Sequence, residues 1–257
     1  MFKMEELEIA IEAVKKAGSI VKKYYGKVDA SYKFDKSLTT KADMESEQAI
    51  KNILTKRFPN HAILGEETGR SGMDSDYMWI IDPLDGTTNY AFQNPFFDIS
   101  LGLAYKGNPF IGVILYPPQD ELFYAEKGKG AYLNDARITV SGTDNIDSAI
   151  IAFCHGRDQE SVKRMISAFS RLKPINNKVR QLGAAALELC YVACGRIDAF
   201  YMVGINPWDV AAGAVILKEA GGKTTDFKGE DFNVSSRDIL GTNVRTHDKL
   251  LDILGNI

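Results

Sequence analysis

An apolar segment that leads directly into two aspartates constrains this chain more than any other part of its sequence. The segment extends from Trp79 to Asn89 and reads WIIDPLDGTTN. The end of a buried strand holds its side chains rigidly, and Pro83 stiffens the following turn because its ring fixes φ. Asp82 and Asp85 can therefore converge. The pattern predicts a pair of carboxylates fixed at the end of a core strand.

The residues after the second aspartate indicate a phosphate site. Gly86 allows the backbone to come close to a ligand, and Thr87-Thr88 are predicted to open a short helix, whose free N–H groups bind phosphate. Carboxylates beside a phosphate would repel it unless divalent cations lay between them. Oxygen ligands that leave room for water and substrate suit Mg²⁺. A tight turn with capping aspartates is the alternative, and it would be preferred for a lone Asp-Pro.

Two further acidic segments argue against a simple turn. Glu66-Glu67 follow a short predicted strand, and Asp209 lies at a predicted helix start. Alone, the glutamates would be interpreted as a solvated loop and Asp209 as a helix cap or first-turn acid. Together with Asp82 and Asp85, they supply the acids that a site for several metal ions needs.

Hydrophobic periodicity predicts a different organisation in each half of the chain. In the first half it indicates helices over 7–24 and about 42–58 and strands over 62–64, 78–81, 99–105, 110–116 and 122–125. In the second half it indicates strands over 149–153, 178–182 and 197–201, helices over 159–172, 184–194, 208–220 and 247–254, and two short strands before the last helix. Residues 1–146 are therefore predicted to form an α+β domain with the metal and phosphate motifs. Residues 147–257 are predicted to form an α/β domain that contributes Asp209 and the substrate pocket.

Composition excludes several other classes of function. The net charge is −3 and no basic run is present, which argues against nucleic-acid binding. No apolar run approaches the roughly 20 residues that span a bilayer. The first residues indicate an amphipathic helix rather than a secretion signal, so a cytoplasmic location is expected. The three cysteines form no CxxC motif, and Cys190 and Cys194 are expected to pack as small apolar residues.

With these motifs in place, the sequence resembles the inositol monophosphatase family of metal-dependent, lithium-sensitive phosphatases. Trp79 to Asn89 match its first signature, and Trp208 to Gly222 match its second. The similarity covers nearly the whole chain, including the spacing of Glu66-Glu67 and of Asp43. It implies a layered αβαβα sandwich, an enzyme that hydrolyses a small phosphate monoester with Mg²⁺, and a homodimer. Mn²⁺ is a possible substitute ion.

The resemblance also implies a role for each site residue. The first metal ion would be held by Glu66, Asp82 and the carbonyl of Leu84, the second by Asp82, Asp85 and Asp209, and a weaker third ion by Glu66. The backbone at Gly86 and Thr87 would bind phosphate.

Two further groups complete the site that the resemblance implies. Thr87 would pair with Asp43 to orient the attacking water, and Glu67 would support the metal ligands from behind. Lys33, or Lys36 in its place, would contact the phosphate region, although a solvated loop lysine explains either residue equally well.

Three positions depart from the pattern of inositol-specific members. Met202 stands where those enzymes commonly have a glutamate, Ala184 where they have serine or threonine, and Phe92 where they have histidine. Methionine cannot accept a hydrogen bond from a ring hydroxyl as a carboxylate does. Strict inositol specificity is therefore not expected. Fructose 1,6-bisphosphate, histidinol phosphate and a 3′-phosphoadenosine nucleotide are alternative substrates.

Other parts of the sequence leave alternatives open. Gly183, Ala184 and Asn206 are expected near the substrate, but Asn206 would equally cap the helix of Asp209. Arg180 and Asp198 are assigned either to the cleft or to a subunit interface. The histidines, His61, His155 and His247, lack metal-ligand spacing and are given structural or solvent roles.

Two other classes of protein would also account for an acidic motif of this kind, and the sequence argues against both. Haloacid-dehalogenase phosphatases carry Asp-x-Asp-Gly-Thr after their first strand. Here the acids are three positions apart with proline between them, and the motif lies a third of the way along the chain. A non-catalytic metal-binding regulator is disfavoured, because every acid and Thr87 are present.

Overall fold

Two large β-sheets, a short two-stranded sheet and the helices packed against them make up the computed structural model, which describes residues 5–27, 31–32, 38–255 and 257. The α-helices of these residues are α1 (Glu5–Tyr24), α2 (Lys41–Arg57), α3 (Thr87–Ala91), α4 (Gln159–Leu172), α5 (Ala185–Ala193), α6 (Pro207–Glu219) and α7 (His247–Leu254). The strands are β1 (Ser31–Tyr32), β2 (Leu38–Thr39), β3 (Ala62–Gly65), β4 (Gly69–Ser71), β5 (Tyr77–Asp85), β6 (Asp98–Tyr105), β7 (Asn108–Tyr116), β8 (Glu121–Glu126), β9 (Ala131–Leu133), β10 (Ala136–Arg137), β11 (Ile151–His155), β12 (Val179–Arg180), β13 (Ala199–Val203), β14 (Lys223–Thr225) and β15 (Asp238–Thr242).

The larger sheet contains eight strands in the order β10-β9-β8-β7-β6-β5-β3-β4. Its neighbouring strands are antiparallel except for β3 and β5, which run parallel. Strand β5 is buried without interruption from Trp79 to Leu84, as a central strand covered on both faces should be. The prediction of a largely antiparallel sheet in the first half of the chain agrees with this arrangement.

The smaller sheet contains five strands in the order β12-β11-β13-β15-β14. Strand β11 runs parallel to both β12 and β13, whereas β15 is antiparallel to β13 and β14. Helices α4 and α5 lie in the crossover connections between the parallel strands. This mixed α/β arrangement is what the alternating pattern of the second half predicts.

The helices and sheets form five layers. Helices α1 and α2 cover one face of the larger sheet, α5 and α6 lie between the two sheets, and α4 and α7 cover the far face of the smaller sheet. The predicted αβαβα sandwich is thus confirmed. No helix of the described residues is long and apolar enough to cross a bilayer.

Small residues bring α6 unusually close to the larger sheet. Gly112 on β7 faces the helix, and a Cβ atom there would lie 2.2 Å from the carbonyl oxygen of Ala212. A Cβ atom at Gly102 on β6 would lie 3.4 Å from the Ala212 nitrogen. Because α6 is buried on both sides, it is apolar around most of its circumference after its first turn. The helix therefore cannot shift toward the larger sheet.

The core between the sheets contains residues from both predicted domains. Ile114 and Phe123 of the larger sheet belong to the same buried cluster as Leu187 on α5 and Val210 on α6. The division of the chain at residues 146 and 147 remains a prediction.

Very short strands are the main difference between the predicted and observed elements. Strands β4, β9 and β10 have two or three residues, too few for an alternating pattern, so periodicity does not reveal them. The strand predicted over 178–182 forms only at β12. Side chains remove two of its backbone donors from the sheet, because Lys178 N donates to Asn176 and Leu182 N donates to Glu188.

Candidate metal and phosphate site

The end of β5 carries the two motif aspartates on an irregular stretch of backbone. Asp82 lies opposite Ser100 and Asp85 opposite Asp98 on β6, with a shift of register between them. Pro83 has no N–H to donate to the sheet, and the Leu84 N–H donates to Asp82 Oδ1 at 3.0 Å. The local fold thus follows from the Asp-Pro-Leu-Asp sequence.

Four predicted carboxylates form one electrostatic cluster. Burial, followed by the charges of Glu66, Asp85 and Asp209, raises the pKa of Asp82 well above its ordinary value. Burial also raises the pKa of Asp85 to about 7 and that of Asp209 to about 8, and Glu66 adds to both shifts. Like charges that are close in a site of low dielectric disfavour ionisation of one another. The structure therefore brings Glu66, Asp82, Asp85 and Asp209 together.

Backbone donors at two helix starts hold this cluster in place. Asp85 Oδ2 accepts a hydrogen bond of 2.8 Å from the N–H of Ala186 in the first turn of α5. Asp209 Oδ2 accepts one of 2.7 Å from the N–H of Asn206, the residue before α6. Both helices lie in the layer between the sheets. The second half of the chain thus positions carboxylates from both halves.

An aspartate–threonine pair, Asp43 and Thr87, lies where α2 meets the start of α3. Asp43 is fully buried, and its Oδ2 accepts hydrogen bonds from Thr40 N at 2.8 Å and Thr40 Oγ1 at 2.6 Å in a capping box. Asp43 Oδ1 lies 3.2 Å from Thr87 Oγ1, which is also 3.0 Å from the carbonyl oxygen of Leu84. Burial raises the pKa of Asp43 to about 7, with smaller contributions from the charges of Glu67 and Glu66.

The turn at Gly86 requires glycine. Its φ is +82°, and a Cβ atom would lie 2.9 Å from the carbonyl oxygen of Phe96 and 3.2 Å from Ala184 Cβ. Asn89 Nδ2 donates to the carbonyl oxygens of Phe96 at 2.8 Å and Leu182 at 2.9 Å. These bonds tie the loop that carries Gly183 and Ala184 to α3. The predicted phosphate turn and part of the predicted substrate pocket are therefore adjacent.

Asn206 and Glu67 lie at the rim of the cluster. Asn206 is exposed, and its Nδ2 lies 3.3 Å from Asp209 Oδ2, so the side chain contacts the helix acid that it precedes. Glu67 Oε2 lies 3.3 Å from Thr39 Oγ1 and contributes to the field at Asp43. Lys33 and Lys36 lie outside the described residues.

Two buried acids behind the cluster were not predicted. Asp98 is fully buried opposite Asp85, and burial together with the charge of Asp85 raises its pKa well above the ordinary value. Glu188 accepts hydrogen bonds from Cys154 Sγ at 2.9 Å and Leu182 N at 3.1 Å, and burial raises its pKa to about 8. Each is an acid inside an apolar sequence pattern, which is the signal that could have revealed it.

The comparison with known proteins decides the family. The model of the inositol monophosphatase family matches residues 3–256. The chain belongs to the inositol monophosphatase family. Inositol monophosphatase 3 of Solanum lycopersicum is 40% identical to it, over 96% of this chain and 96% of that protein. The fructose-1,6-bisphosphatase/inositol-1-monophosphatase of Aquifex aeolicus is 38% identical, over 96% of this chain and 94% of that protein.

Solved structures agree with this assignment. The crystal structure of the extragenic suppressor protein SuhB from Bartonella henselae has a TM-score of 0.92 and 34% identity, and the match covers 98% of this chain and 99% of that one. As a member of the inositol monophosphatase family, the protein is a phosphoric monoester hydrolase. The predicted family, fold and enzyme class are thereby confirmed.

The remaining residues singled out in the sequence lie away from the carboxylate cluster or within packing contacts. His61 stacks between Phe58 and Tyr77, and His247 is buried between two threonines. Asp198 accepts hydrogen bonds from Ser141 Oγ at 2.5 Å and Ile150 N at 2.7 Å. These contacts place the Asp198 carboxylate in a buried hydrogen-bond network rather than on an open cleft.

The donor set of this family member fits a hard divalent cation. Within the described ranges, no three histidine, cysteine, aspartate or glutamate side chains are grouped closely enough to enclose an ion. Asp82, Asp85 and Asp209 instead accept hydrogen bonds from backbone N–H groups. Carboxylate and carbonyl oxygens are nevertheless the ligands that Mg²⁺ prefers, and positive charge would lower the raised pKa values of the cluster. Metal dependence is general in the inositol monophosphatase family.

Proposed function

We propose that this protein hydrolyses an inositol monophosphate-type substrate, and also fructose 1,6-bisphosphate, with Mg²⁺ and an activated water. The observation that carries the proposal is the cluster of Glu66, Asp82, Asp85 and Asp209 beside the Asp43–Thr87 pair. A cluster of buried carboxylates is costly without cations, and it is suited to phosphate only when cations lie between. The turn at Gly86 supplies the adjacent backbone donors.

In this proposal, Glu66, Asp82 and the Leu84 carbonyl hold one ion, Asp82, Asp85 and Asp209 hold a second, and Glu66 holds a weaker third. When bound, Mg²⁺ supplies charge neutralisation at the phosphate oxygens and lowers the pKa of water. The N–H groups at Gly86 and Thr87 bind the phosphate, and Glu67 supports the ligands from behind.

The Asp43–Thr87 pair orients and deprotonates the attacking water. The Thr87 hydroxyl donates to Asp43. The oxygen of Thr87 is therefore free to accept a hydrogen bond from the water. Asp43 has a pKa of about 7, so it can accept a proton near neutral pH. No covalent bond between phosphate and protein is required.

The resemblance and two apolar side chains support a substrate range wider than one inositol phosphate. Met202 and Ala184 are buried and offer no polar side-chain atom that could bind a sugar hydroxyl. The relative from Aquifex aeolicus carries both activities in its name. Histidinol phosphate and a 3′-phosphoadenosine nucleotide are the alternative substrates.

The test is phosphate release from inositol 1-phosphate, fructose 1,6-bisphosphate, histidinol phosphate and a 3′-phosphoadenosine nucleotide, each with Mg²⁺, with EDTA, and with Li⁺ added to Mg²⁺. We expect release that requires Mg²⁺, is inhibited by Li⁺, and is fastest with the first two substrates. Release that persists in EDTA would contradict the metal mechanism. An aspartyl-phosphate trapped on Asp82 would favour a haloacid-dehalogenase phosphatase. No release from any substrate would favour a non-catalytic, metal-binding regulator.

The resemblance further supports a homodimer in the cytoplasm that acts on a small phosphorylated metabolite. Light scattering of the purified protein measures the mass directly, and twice the mass of the 28.4 kDa chain is expected. A monomer at micromolar concentration would contradict this part of the proposal.

A further inference from the structure

Glu47 is a fully buried glutamate on α2 whose carboxylate binds the turn after β3. Its Oε2 accepts a hydrogen bond of 2.9 Å from Glu67 N, and its Oε1 accepts one of 3.1 Å from Thr68 N. The Thr68 hydroxyl also donates to Oε1. This turn carries Glu66, and all three of these donors follow that residue directly in the chain.

The chain provides space for this carboxylate at Gly65. A Cβ atom at that position would lie 2.5 Å from Glu47 Cδ and 2.6 Å from each of its two oxygens. Any side chain there would displace the carboxylate from the turn. The close approach of the Glu47 carboxylate to the turn therefore depends on glycine at position 65.

The turn is fixed on both sides of Glu66. The Glu66 N–H donates to the carbonyl oxygen of Ile81 at 3.1 Å, one residue before Asp82. On the other side, Glu47 binds residues 67 and 68. The backbone of Glu66 is thus held between β5 and α2, and this limits the directions that its side chain can take.

The same helix contacts two other parts of the site. Asp43, one turn before Glu47, binds Thr87, and Ser46 Oγ donates to the carbonyl oxygen of Pro83 at 3.0 Å. Residues three and four apart lie on the same face of a helix. One buried polar face of α2 therefore contacts the Thr87 turn, the Asp-Pro-Leu-Asp segment and the Glu66 turn together.

We propose that Glu47 is a positioning residue that sets the affinity of the site for Mg²⁺ by holding the turn that presents Glu66. The inference rests on the proposed function, in which Glu66 is a metal ligand. Glu47 contacts neither the substrate nor the ion in this scheme. It acts through the backbone of Glu67 and Thr68.

The variant Glu47→Gln tests this role with little change of shape. One amide N–H₂ group replaces an acceptor oxygen and faces backbone donors, so at least one hydrogen bond to the turn is lost. We expect the Mg²⁺ concentration for half-maximal activity to rise about tenfold, as for other groups that orient metal ligands, while kcat at saturating Mg²⁺ stays within threefold. Calorimetric titration with Mg²⁺ should show the same loss of affinity without substrate. Glu45→Gln is the matched control, because Glu45 lies on the same helix and binds the Tyr24 hydroxyl, and its Mg²⁺ constants should match wild type.

Other outcomes separate this inference from the proposed function. A wild-type Mg²⁺ affinity for Glu47→Gln, or a lower melting temperature with unchanged Mg²⁺ constants, would overturn it. If Glu47→Gln does not fold, Thr68→Ala removes one hydroxyl donor and should raise the Mg²⁺ constant by about fivefold, the equivalent of one hydrogen bond, and no change would overturn the inference. A wild-type protein that binds Mg²⁺ without any turnover would contradict only the proposed function, and the calorimetric comparison would still decide the role of Glu47.

Discussion

The Thr87 hydroxyl lies 3.2 Å from the Asp43 carboxylate, although 44 positions separate the two residues in the sequence. The contact joins the first turn of α3 to the first turn of α2, and Asp43 is held independently by Thr40. A hydroxyl fixed in this way has a defined free lone pair. It can therefore orient a water molecule beside the carboxylate cluster.

Thr87→Val should lower kcat by about 100- to 10,000-fold, the range expected when a proton-transfer group is lost. Valine keeps the shape of threonine but removes the hydroxyl. Thr87→Ser should retain activity within about tenfold of wild type. Thr88→Val is the matched control, because Thr88 is exposed and adjacent, and its activity should be unchanged. Wild-type activity of Thr87→Val would show that the contact has no part in catalysis.

Asp85→Asn should abolish turnover and raise the melting temperature of the protein in EDTA. The amide oxygen can still accept the hydrogen bond from Ala186, while the variant loses a negative charge that is close to Asp82 and Asp98. The increase in melting temperature on adding Mg²⁺ should shrink. Thermal unfolding with and without Mg²⁺ measures both effects, and Asp147→Asn, at an exposed position, is the control. Full activity in the Asp85 variant would refute the assigned metal role.

The metal-free protein should lose stability as the pH rises. Asp85 has a pKa of about 7 and Asp209 of about 8 in the folded state, against ordinary values near 4. Between about pH 4 and 8 the folded state therefore holds protons that the unfolded state has released, so these groups oppose folding increasingly through that window. The melting temperature in EDTA should fall from pH 6 to 8 and recover with Mg²⁺. If the difference in melting temperature between wild type and Asp85→Asn did not grow with pH, the prediction would be contradicted.

His247 should have the opposite pH dependence. Its Nδ1 lies 2.9 Å from Thr242 Oγ1 and its Nε2 3.1 Å from Thr225 Oγ1, and burial lowers its pKa to about 4. The unfolded state binds a proton at about pH 6.5 and the folded state only near pH 4. Its stabilising contribution is therefore complete above about pH 6.5 and is lost as the pH falls toward 4. Wild type and His247→Gln should differ in unfolding free energy by about 1–3 kcal/mol at pH 7 and less at pH 5; an equal difference at both values would exclude titration of this histidine.

Gly112→Ala tests the close packing of α6. The added Cβ atom would lie 2.2 Å from a backbone oxygen of Ala212, so the helix or the sheet must move. A cost of about 1–3 kcal/mol or more in unfolding free energy is expected, together with weaker Mg²⁺ activation because α6 carries Asp209. Gly142→Ala is the control, since nothing lies within 4 Å of the added atom. Equal denaturation midpoints for the two variants would contradict the packing argument.

The parts of the site that the sequence predicted are those with a strong local pattern. The segment leading to Asp82 and Asp85 is an uninterrupted apolar strand, and Asp209 begins a long apolar helix, so each element could be recognised alone. That these elements meet is a property of tertiary packing. Periodicity did not indicate it, whereas the shared chemistry of the acids and the family resemblance did.

Ser46 and Glu47 escaped prediction because polar side chains are typical of solvent-exposed positions. Both lie one turn before the buried Ile50, so the helical period places them on the buried face of α2, whereas Asp43 on the same face was assigned to the site through the family resemblance. Glu47 has the appearance of an ordinary solvated helix glutamate, and its partners lie about twenty residues away. The shortness of β12 has a related cause, since the side chains of Asn176 and Glu188 accept hydrogen bonds from the N–H groups of Lys178 and Leu182 on either side of it.

The position of α6 between two sheets has a consequence for how the substrate range of such a protein can diverge during evolution. A mutation that moved the start of α6 would have to displace a whole sheet, because Gly112 and Ala212 leave no space on one side. The segment after β11, by contrast, is exposed from Arg157 to Glu160 and can change in length or composition without repacking a core. New substrate preferences should therefore accumulate in loops at the strand ends, while the carboxylate cluster beside α6 is inherited unchanged.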